Sequence, residues 1–387
     1  MGEVCDVFDG THQTPDYIDE GVMFLSVEDI DTLRSKKYIS ESDYLRDFKT
    51  FPECGDILMT RIGDIGTANV IRTNEKLAYY VSLALLKPKD SDADFLTTSI
   101  HSPYFQKKLW ERTLHVAFPK KINLGEIENI TLHTPEKSEQ TAIGTFFRTL
   151  DDIIALHQRK LDGLKELKQG YLQQMFPQEG ERVPRMRFDG FDAVWEARKL
   201  GKVVEKIKSY SLSRDVETKE ATGYRYVHYG DIHKQVADFI ICDEQLPYIK
   251  HGDYLSLNQG DLVLADTSED YTGIAEPCVI LHKPSDKIIA GLHTIALRPH
   301  NADSVYLYYL LHTKKFKKYG GEVGTGLKVF GITFNNLALY ETKFPTLPEQ
   351  IAIGKFFRNI DEQISAQQNR LKQLKQLKSA YLQKMFI

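Results

Sequence analysis

Residues 139–176 read EQTAIGTFFRTLDDIIALHQRKLDGLKELKQGYLQQMF, and residues 349–386 read EQIAIGKFFRNIDEQISAQQNRLKQLKQLKSAYLQKMF. The two segments align without a gap at an offset of 210 residues, and 21 of 38 positions are identical. A repeat distance of this size far exceeds the ~20–50 residues of a solenoid unit. We therefore interpret the chain as an internal duplication, in which each copy is a globular domain followed by a long helix.

Both repeated segments are predicted to be helices. Their apolar residues recur at spacings of four and three, which is the heptad pattern of a helix that packs along one stripe on a partner. Pro135 and Pro348 precede the two copies and Pro177 follows the first, as expected at helix boundaries. The predicted seam comprises Ile143, Phe147, Leu150, Ile154, Leu161, Leu164, Tyr171 and Met175, and then Ile353, Phe357, Ile360, Ile364, Leu371, Leu374, Tyr381 and Met385.

The pairing of the two helices follows from the matched seams. Two such seams in one chain favour packing on each other, although each helix could instead pack on the core of its own domain. An antiparallel coiled coil would place one domain at each end, related by a pseudo-twofold axis. Thirty-eight residues at the helical rise make a rod of roughly 57 Å.

Polar residues also fall on the seam. Polar residues at such positions cost stability but can fix register and orientation. Acidic pairs elsewhere on the helices, at 151–152 and 361–362, are interpreted as solvated faces. The polar seam positions are His157 and Lys168 in the first copy, and Gln367 and Lys378 in the second.

Composition predicts a cytoplasmic globular protein of two or three domains. Hydrophobic residues make up 42% and charged residues 27%, which is ordinary for a soluble chain. No apolar run reaches the ~20 residues of a membrane span, and the first residues show no signal-peptide pattern. The four cysteines are scattered without CxxC spacing, so neither a zinc site nor a disulfide framework is indicated. The formal net charge of −4 argues against a wholly basic surface but leaves room for a local DNA-binding face.

The duplication extends faintly into the globular parts. Segments 55–71 and 260–280 both begin with Gly-Asp and an apolar β-prone run, and further matches link 78–88 with 290–299. We therefore expect two α+β domains of one fold. The stretch KYISESDYLRDFKTF (37–51) has no counterpart of like sequence in the second half. Divergent loops on a shared framework are typical of two binding surfaces for different targets, although drift after duplication would also produce them.

The two halves differ where each domain begins. The second domain follows a segment that ends in WEARKLGKV (195–203), whereas only MGEV at the N-terminus corresponds to it in the first. The first domain is therefore expected to lack this entry segment.

The sequence shows no enzymatic signature. GTGLKVFG (324–331) has neither the spacing of a dinucleotide fingerprint nor the Gly-Lys-Ser/Thr of a P-loop. An Asn/Asp-Pro-Pro-Tyr motif and an HExxH motif are both missing. His228 and His233, in HYGDIH, are interpreted as structural. The chain is thus predicted to recognise a target rather than to catalyse a reaction.

The repeated motifs EQxAIGxFFRxxD and LKxxYLQxMF, each after a variable α+β domain, resemble those of the specificity subunit of a type I restriction-modification system. PRMRFDGFDAVWEARKLG (184–201) and FDGTHQTP (8–15) are also similar to that family. The resemblance implies a first target recognition domain at 1–134 and a central helix at 135–176. It implies a second recognition domain, with its lead-in, at 177–347 and a C-terminal helix at 348–387.

The resemblance also implies a function. Each recognition domain would read one half of a bipartite, asymmetric double-stranded DNA target, and the helices would set the spacing between the halves. Two modification subunits, which bind S-adenosylmethionine and methylate adenine N6, and two restriction subunits, which use ATP, would be the partners. The chain itself would be non-catalytic, bind no cofactor or metal, and have no membrane partner.

Two other classes of function remain open at this point. A coiled-coil scaffold with two ligand- or peptide-binding domains would share the repeat, but should present apolar pockets. A stand-alone DNA-binding regulator would need a more basic surface.

The predicted DNA-binding residues lie in polar or basic loops. Arg61 could equally be a structural ion-pair residue. The candidates are Thr11, His12, Gln13, Thr14, Arg61, Lys120 and Lys121 in the first domain, and Lys208, Tyr210, Arg214, Thr267, Ser268 and Lys328 in the second.

Overall fold

The computed structural model describes residues 1–270, 273–326 and 329–386. The chain divides into two compact units. Unit 1 comprises Met1–Lys160 and Gln367–Ile387, and unit 2 comprises Leu161–Ala366. Each unit therefore contains one globular domain and part of both long helices.

The domain of unit 1 is built on two sheets. The larger is antiparallel with strand order β1-β7-β4-β5, and the smaller has the order β3-β2-β6, in which β2 and β6 run parallel. The strands are β1 (Cys5–Asp9), β2 (Val22–Leu25), β3 (Tyr38–Ile39), β4 (Ile57–Thr60), β5 (Ala68–Val70), β6 (Leu77–Tyr79) and β7 (Leu83–Pro88). The helices are α1 (Glu41–Asp47), α2 (Ala93–Ile100), α3 (Pro103–Arg112) and α4 (Leu124–Glu128).

The larger sheet of unit 1 is buried on both faces. Successive side chains of a strand point to opposite faces. Ile57 and Met59 of β4 accordingly pack in one apolar core, with helices α2 and α3, while Leu58 packs in the other, with the smaller sheet. This arrangement explains why β4 is a continuous apolar run rather than an alternating one.

The domain of unit 2 repeats this topology with additions. Its larger sheet has the order β12-β16-β14-β18-β9, and its second sheet, β10-β13-β11-β17, again contains one parallel pair, β11 with β17. Two short ladders, β20-β8 and β15-β19, are added. The strands are β8 (Glu196–Lys199), β9 (Val204–Ile207), β10 (Glu217–Thr218), β11 (Tyr224–Val227), β12 (Phe239–Ile240), β13 (Tyr248–Ile249), β14 (Leu262–Ala265), β15 (Thr267–Ser268), β16 (Pro277–Ile280), β17 (Lys287–Ala290), β18 (Thr294–Pro299), β19 (Phe330–Gly331) and β20 (Glu341–Phe344). The helices are α6 (Tyr229–His233), α7 (Ser304–Leu311), α8 (Lys314–Val323) and α9 (Phe334–Leu339).

The stretch at 37–51 does have a structural counterpart. Tyr38 and Ile39 form β3, beside the parallel pair of unit 1, and Tyr248 and Ile249 form β13 in the same place in unit 2. The match continues in Asp-Tyr-Leu at 43–45 and 253–255, at the same offset of 210 residues, so the expectation that this stretch has no counterpart of like sequence was wrong.

The repeated segments form the two long helices, α5 (Lys137–Gln174) and α10 (Leu347–Met385), as the heptad pattern predicted. In unit 1, Phe146 contacts Tyr381 at a ring-centroid distance of 5.1 Å, and His157 Nδ1 lies 2.7 Å from Gln367 Oε1. Rising numbers in α5 thus meet falling numbers in α10, so the two helices pack antiparallel there.

Unit 2 shows the same direction. Tyr171 contacts Phe356 at 4.9 Å, and Lys168 Nζ lies 2.6 Å from Asp361. The predicted α+β domains and antiparallel helices are therefore confirmed.

The predicted seam is largely buried. Most of its residues are less than a tenth exposed, whereas Ile143, Ile154, Leu164 and Tyr171 are half-buried. Tyr381 and Met385 depart from the prediction because they are 37% and 41% exposed, although Met175, the counterpart of Met385, is 2% exposed. The fully buried or nearly buried members are Phe147, Leu150, Leu161, Met175, Ile353, Phe357, Ile360, Ile364, Leu371 and Leu374.

The interpretation of the acidic pairs as simply solvated was wrong for two of their members. Asp151 binds Lys378 at 2.5 Å within unit 1, and Asp361 binds Lys168 at 2.6 Å within unit 2. The two bridges are equivalent under the offset of 210 residues. The polar seam positions therefore have partners on the facing helix, which is how such residues fix register.

Candidate nucleic-acid interface

The predicted DNA-binding loops of unit 1 emerge at one edge of its larger sheet. Asp9, at the end of β1, pairs with Ala84 of β7, and Thr60, at the end of β4, pairs with Leu83. Because neighbouring strands are antiparallel, the loop after β1 and the loop after β4 leave the sheet side by side. Residues 10–14 and 61–67 therefore share one edge.

Arg61 ties these loops together from inside the domain. Its Nη2 donates to both carboxylate oxygens of Asp9, at 2.9 and 3.0 Å, and its Nη1 donates to the carbonyl of Ile122 at 3.0 Å. The arginine side chain is only 7% exposed. Asp9 also contacts His12 Nε2 at 2.9 Å. Arg61 thus occupies a structural ion pair, the second of the two roles expected for it.

The segment 113–122 completes the edge in unit 1. Lys120 accepts a backbone hydrogen bond from Gly63, and Ile122 donates one to Arg61, so this segment lies along the loop after β4. Lys120 and Lys121 are exposed, and Lys120 Nζ lies 4.7 Å from the centroid of the Trp110 ring.

The remaining candidates of unit 1 lie on the loop after β1. His12, Gln13 and Thr14 are exposed, whereas Thr11 is 8% exposed and its backbone bonds to Tyr79 and Val81. All seven candidates therefore lie in segments at this edge, but only five are exposed, whereas Thr11 and Arg61 are buried.

The candidate residues of unit 2 lie in loops that leave its larger sheet at the corresponding edge. Ile207, at the end of β9, pairs with Ala296 of β18, and Ala265, at the end of β14, pairs with Thr294. Lys208 and Tyr210 follow β9 directly. The Lys208 ammonium lies 4.9 Å from the centroid of the Tyr210 ring.

A cleft of about 900 Å³ opens at this edge of unit 2. Arg214, Thr267 and Ser268 all line it, so three candidates separated by up to 54 positions in sequence meet in space. Arg214 donates to Asp231 and Glu217, each at 2.6 Å, yet its side chain remains 42% exposed. Lys328 lies outside the described residues.

Sequence reasoning missed the histidines of the cleft. His228, His233 and His293 line it, together with Lys234 and Gln235. His228 has the structural role predicted for it, because its ring accepts a hydrogen bond from Gly230 at the start of α6. Burial, and then the neighbouring Arg214, lower the pKa of His228. No spacing rule would have found this cluster, because its members come from two separate segments, 228–235 and 293.

Within the described residues, no group of His, Cys, Asp and Glu is arranged to hold a metal ion. None of the helices there combines the length and apolar character needed to cross a membrane. The four cysteines are free thiols.

Comparison with known proteins defines the class of protein. The model of the type I restriction modification DNA specificity domain matches residues 1–166 and again 193–376, so the chain belongs to this family. The two matches reproduce the duplication inferred from the repeated helices. The chain is accordingly a non-catalytic DNA specificity subunit of a type I restriction-modification system, and the scaffold alternative is not favoured.

Individual relatives agree with this assignment. The specificity subunit of the type I restriction enzyme MjaVIII from Methanocaldococcus jannaschii is 22% identical over 342 residues, which cover 84% of this chain and 73% of the relative. The crystal structure of a type I restriction-modification S subunit from M. genitalium has a TM-score of 0.63 at 12% identity, and the match covers 100% of this chain and 94% of that one. A chain solved in work on the assembly and conformational transition of a type I R-M system has a TM-score of 0.53 at 16% identity, with coverages of 98% and 95%. At these identities the solved structures show a shared fold.

Proposed function

We propose that each globular domain reads one half of a bipartite, asymmetric DNA target. One observation carries this proposal. Each domain presents loops from the equivalent edge of its own larger sheet, but the side chains on those loops differ between the domains. Such loops can bind two different base sequences without any change in the framework beneath them. The proposed domain bounds are 1–134 and 177–347, with the helical segments 135–176 and 348–387 between and after them.

In unit 1, the exposed residues of the edge are divided by chemistry. Lys120 and Lys121 are suited to phosphates, which position a protein on DNA without reading its sequence. Gln13 is suited to adenine, whose N6 and N7 it can bond in bidentate fashion. His12 and Thr14 flank it and complete the reading loop.

Arg61 acts indirectly in this proposal. Because its guanidinium is held by Asp9 and Ile122, it is not available to bind a base. We assign it the role of holding the loop after β1 against segment 113–122. Thr11, through its backbone bonds, anchors the same loop.

In unit 2, the cleft is the proposed reading surface. Thr267 and Ser268 offer hydroxyl groups, and Arg214 offers the exposed part of its guanidinium. Lys208 and Tyr210 lie beside β9, where a phosphate contact and a stacking or packing contact are expected. Lys328 is retained as a candidate phosphate contact.

The long helices are proposed to set the spacer between half-sites and to dock modification subunits. The full complex would contain two modification and two restriction subunits in the cytoplasm. S-adenosylmethionine and ATP would bind to those partners, and the target adenine would be flipped out of the duplex for methylation.

The test is to co-express the chain with a type I modification subunit and to map N6-methyladenine across the genome. Gln13→Ala should relax recognition in one half-site only, and Thr267→Ala in the other only. Losing one good base contact should lower discrimination by at least about tenfold. Lys49→Ala, an exposed lysine outside the predicted set, is the matched control.

The outcome separates the parts of the proposal. Methylation at one split motif, with each variant altering a different half, supports it. Either variant altering both halves would contradict the assignment of one domain to each half-site. A complex that forms without any methylation would contradict the proposed reading function of the domains.

A further inference from the structure

The loop between α3 and α4 of unit 1 carries an exposed apolar tip, which we define as residues 114–118. Phe118 and Val116 are fully exposed, at 103% and 98%, and Leu114 is 40% exposed. Single exposed apolar side chains are common on protein surfaces. A phenylalanine and a valine two positions apart, neither covered by its own domain, are a stronger signal, because each forgoes the stabilisation that burial would provide.

Backbone hydrogen bonds close the base of this loop. Leu114 donates to the carbonyl of Lys121 at 2.8 Å, and Ala117 donates to the carbonyl of Leu114 at 3.3 Å. Gly63 donates to the carbonyl of Lys120 at 2.8 Å, which ties the loop to the one that follows β4. The apolar tip therefore projects from a hydrogen-bonded turn.

Side chains also brace the loop against α3. His115 Nε2 lies 3.0 Å from the carbonyl oxygen of Trp110, and the two rings are 4.2 Å apart at their centroids. The Lys120 ammonium lies over the same indole ring. The loop is thus held by the tryptophan from both sides of Phe118. A loop braced in this way loses little conformational freedom when its tip is buried in a partner.

The charges around the tip indicate what covers it. Lys120 and Lys121 follow it directly and are exposed. The polar loop after β1 leaves the sheet at the same edge, because Arg61 binds Asp9 and Ile122 together. In a duplex the phosphates lie outside and the stacked bases inside, so cations beside an apolar tip match it. A purely apolar groove on another protein would leave both lysines without partners.

Unit 2 has a loop in the equivalent place, between α8 and α9. Ile332 donates to the carbonyl of Asp266 at 2.8 Å, as Ile122 donates to that of Arg61 at 3.0 Å. Val329, on this loop of unit 2, is 55% exposed and lines the cleft that is the proposed reading surface. An apolar residue at this place therefore faces the candidate DNA surface in both units.

We propose that Phe118 is a wedge that inserts its ring between two neighbouring base pairs at the half-site read by unit 1, while Val116 packs against the base edges beside it. This rests on the proposed function, because unit 1 must lie on DNA. Apolar wedges of this kind unstack a base step and kink the duplex. Pyrimidine–purine steps kink most easily, so the wedge makes this half-site selective at a step that no polar side chain contacts.

The test uses the full chain in complex with its modification subunit, on duplexes of the methylated motif. The fluorescent adenine analogue 2-aminopurine, whose emission rises when it is unstacked, is placed at one position at a time across the half-site that Gln13→Ala alters. At saturating protein, the wild-type complex should raise the emission at one step away from the target adenine. Flipping of the target adenine gives a separate signal at its own position.

The variant Phe118→Ala should abolish the emission change at that step and leave the signal at the target adenine. It should also weaken DNA binding at least about fivefold, because it removes one contact between an aromatic ring and the bases. The phenylalanine is fully exposed, so its replacement should not alter the urea denaturation of the chain.

Two control variants make the result specific. Phe118→Leu keeps an apolar side chain that can insert between base pairs, and should retain most of the emission change. Leu45→Ala removes another exposed apolar side chain, which is 60% exposed. Leu45 lies beside residues 52–54, which precede β4, at the opposite end of that strand from the reading edge. Its replacement should change neither the emission nor the affinity for DNA.

The outcomes separate this proposal from the proposed function. A wild-type complex that methylates no split motif would overturn both. Normal methylation by the wild type, without an emission change away from the target adenine, would overturn the wedge alone, as would an emission change that Phe118→Ala retains. If Phe118→Ala loses the modification subunit in the absence of DNA, the apolar tip docks a protein, and the wedge is likewise overturned.

Discussion

The two units use the same histidine in different ways. In unit 1, His101 follows α2, and its Nε2 accepts a hydrogen bond from the backbone of Ala68. In unit 2, its counterpart His312 lies 2.8 Å from the carboxylate of Glu276, which Lys317 also binds. The backbone around both histidines is alike, yet His101 bonds to a backbone amide whereas His312 belongs to a cluster with Glu276 and Lys317. The comparison shows that one shared backbone framework can hold different side-chain interactions at equivalent, largely buried positions.

The largest loss of stability is expected at a pair of equivalent residues that are buried to the same extent in both units. Phe147 and Phe357 are equivalent, and are 1% and 0% exposed. Phe147→Ala and Phe357→Ala should each lower the free energy of unfolding by about 3–5 kcal/mol, because each leaves a cavity. Urea denaturation would measure both losses. A loss below about 1 kcal/mol in one variant would show that the equivalence of the two sites does not extend to energetics.

An intermediate loss of stability is expected at Glu349, which is buried, whereas its counterpart Glu139 is exposed. Glu349→Ala should cost about 3 kcal/mol, because it leaves the Arg187 guanidinium without its buried partner. Glu139→Ala should change stability by no more than about 0.5 kcal/mol, since an exposed side chain is removed. The same denaturation experiment compares them. If Glu349→Ala costs as little stability as Glu139→Ala, residues 177–199 contribute little to the stability of unit 2.

The smallest of the three losses of stability is expected when Glu276 is replaced, and this loss depends on pH. Burial opposes its ionisation, but His312 and Lys317 together lower the pKa of Glu276 from 4.5 to about 2. Its folded-state pKa lies below its unfolded value, so its stabilisation is present above about pH 4.5 and is lost as the pH falls toward 2. Glu276→Gln should cost about 2 kcal/mol at neutral pH and little near pH 2, with allowance for its partial exposure.

Denaturation of the wild type and of Glu276→Gln at several pH values would measure this difference. The matched comparison is Thr67, which occupies the corresponding place in unit 1 and carries no charge. Thr67→Ser, which keeps the hydroxyl that donates to Asp64 at 2.6 Å, should change stability by the same amount at every pH. A cost of Glu276→Gln that does not vary with pH would refute the ion-pair explanation.

Much of the architecture could be predicted from sequence, because it depends on local periodicity. The heptads at 139–176 and 349–386 predicted helices that the structure begins and ends within a few residues of those positions. The Gly-Asp pairs at 55 and 260 correctly predicted that a strand follows, and these strands are β4 and β14. Each of these signals is contained in one continuous stretch, so no knowledge of tertiary contacts was needed.

The candidate interface could be predicted only in part. Gln13 and Lys120 are exposed at the edge, as polar loop residues should be. Arg61 looks the same in sequence, but Asp9, 52 positions away, holds it inside the domain. The residues at the cleft of unit 2 likewise meet only because antiparallel strands bring distant loops to one edge.

The sequence by itself determined that the chain is a duplicated pair of α+β domains with two matched helices, and it indicated the family. Periodicity, repeats and motifs are properties of neighbouring residues, and they survive without coordinates. Only the tertiary structure decided that Glu349 is buried while Glu139 is exposed, although the two stand in nearly identical sequence. The physical reason is that burial and ion pairing depend on which distant segment covers a residue, and identical local sequences can be covered differently.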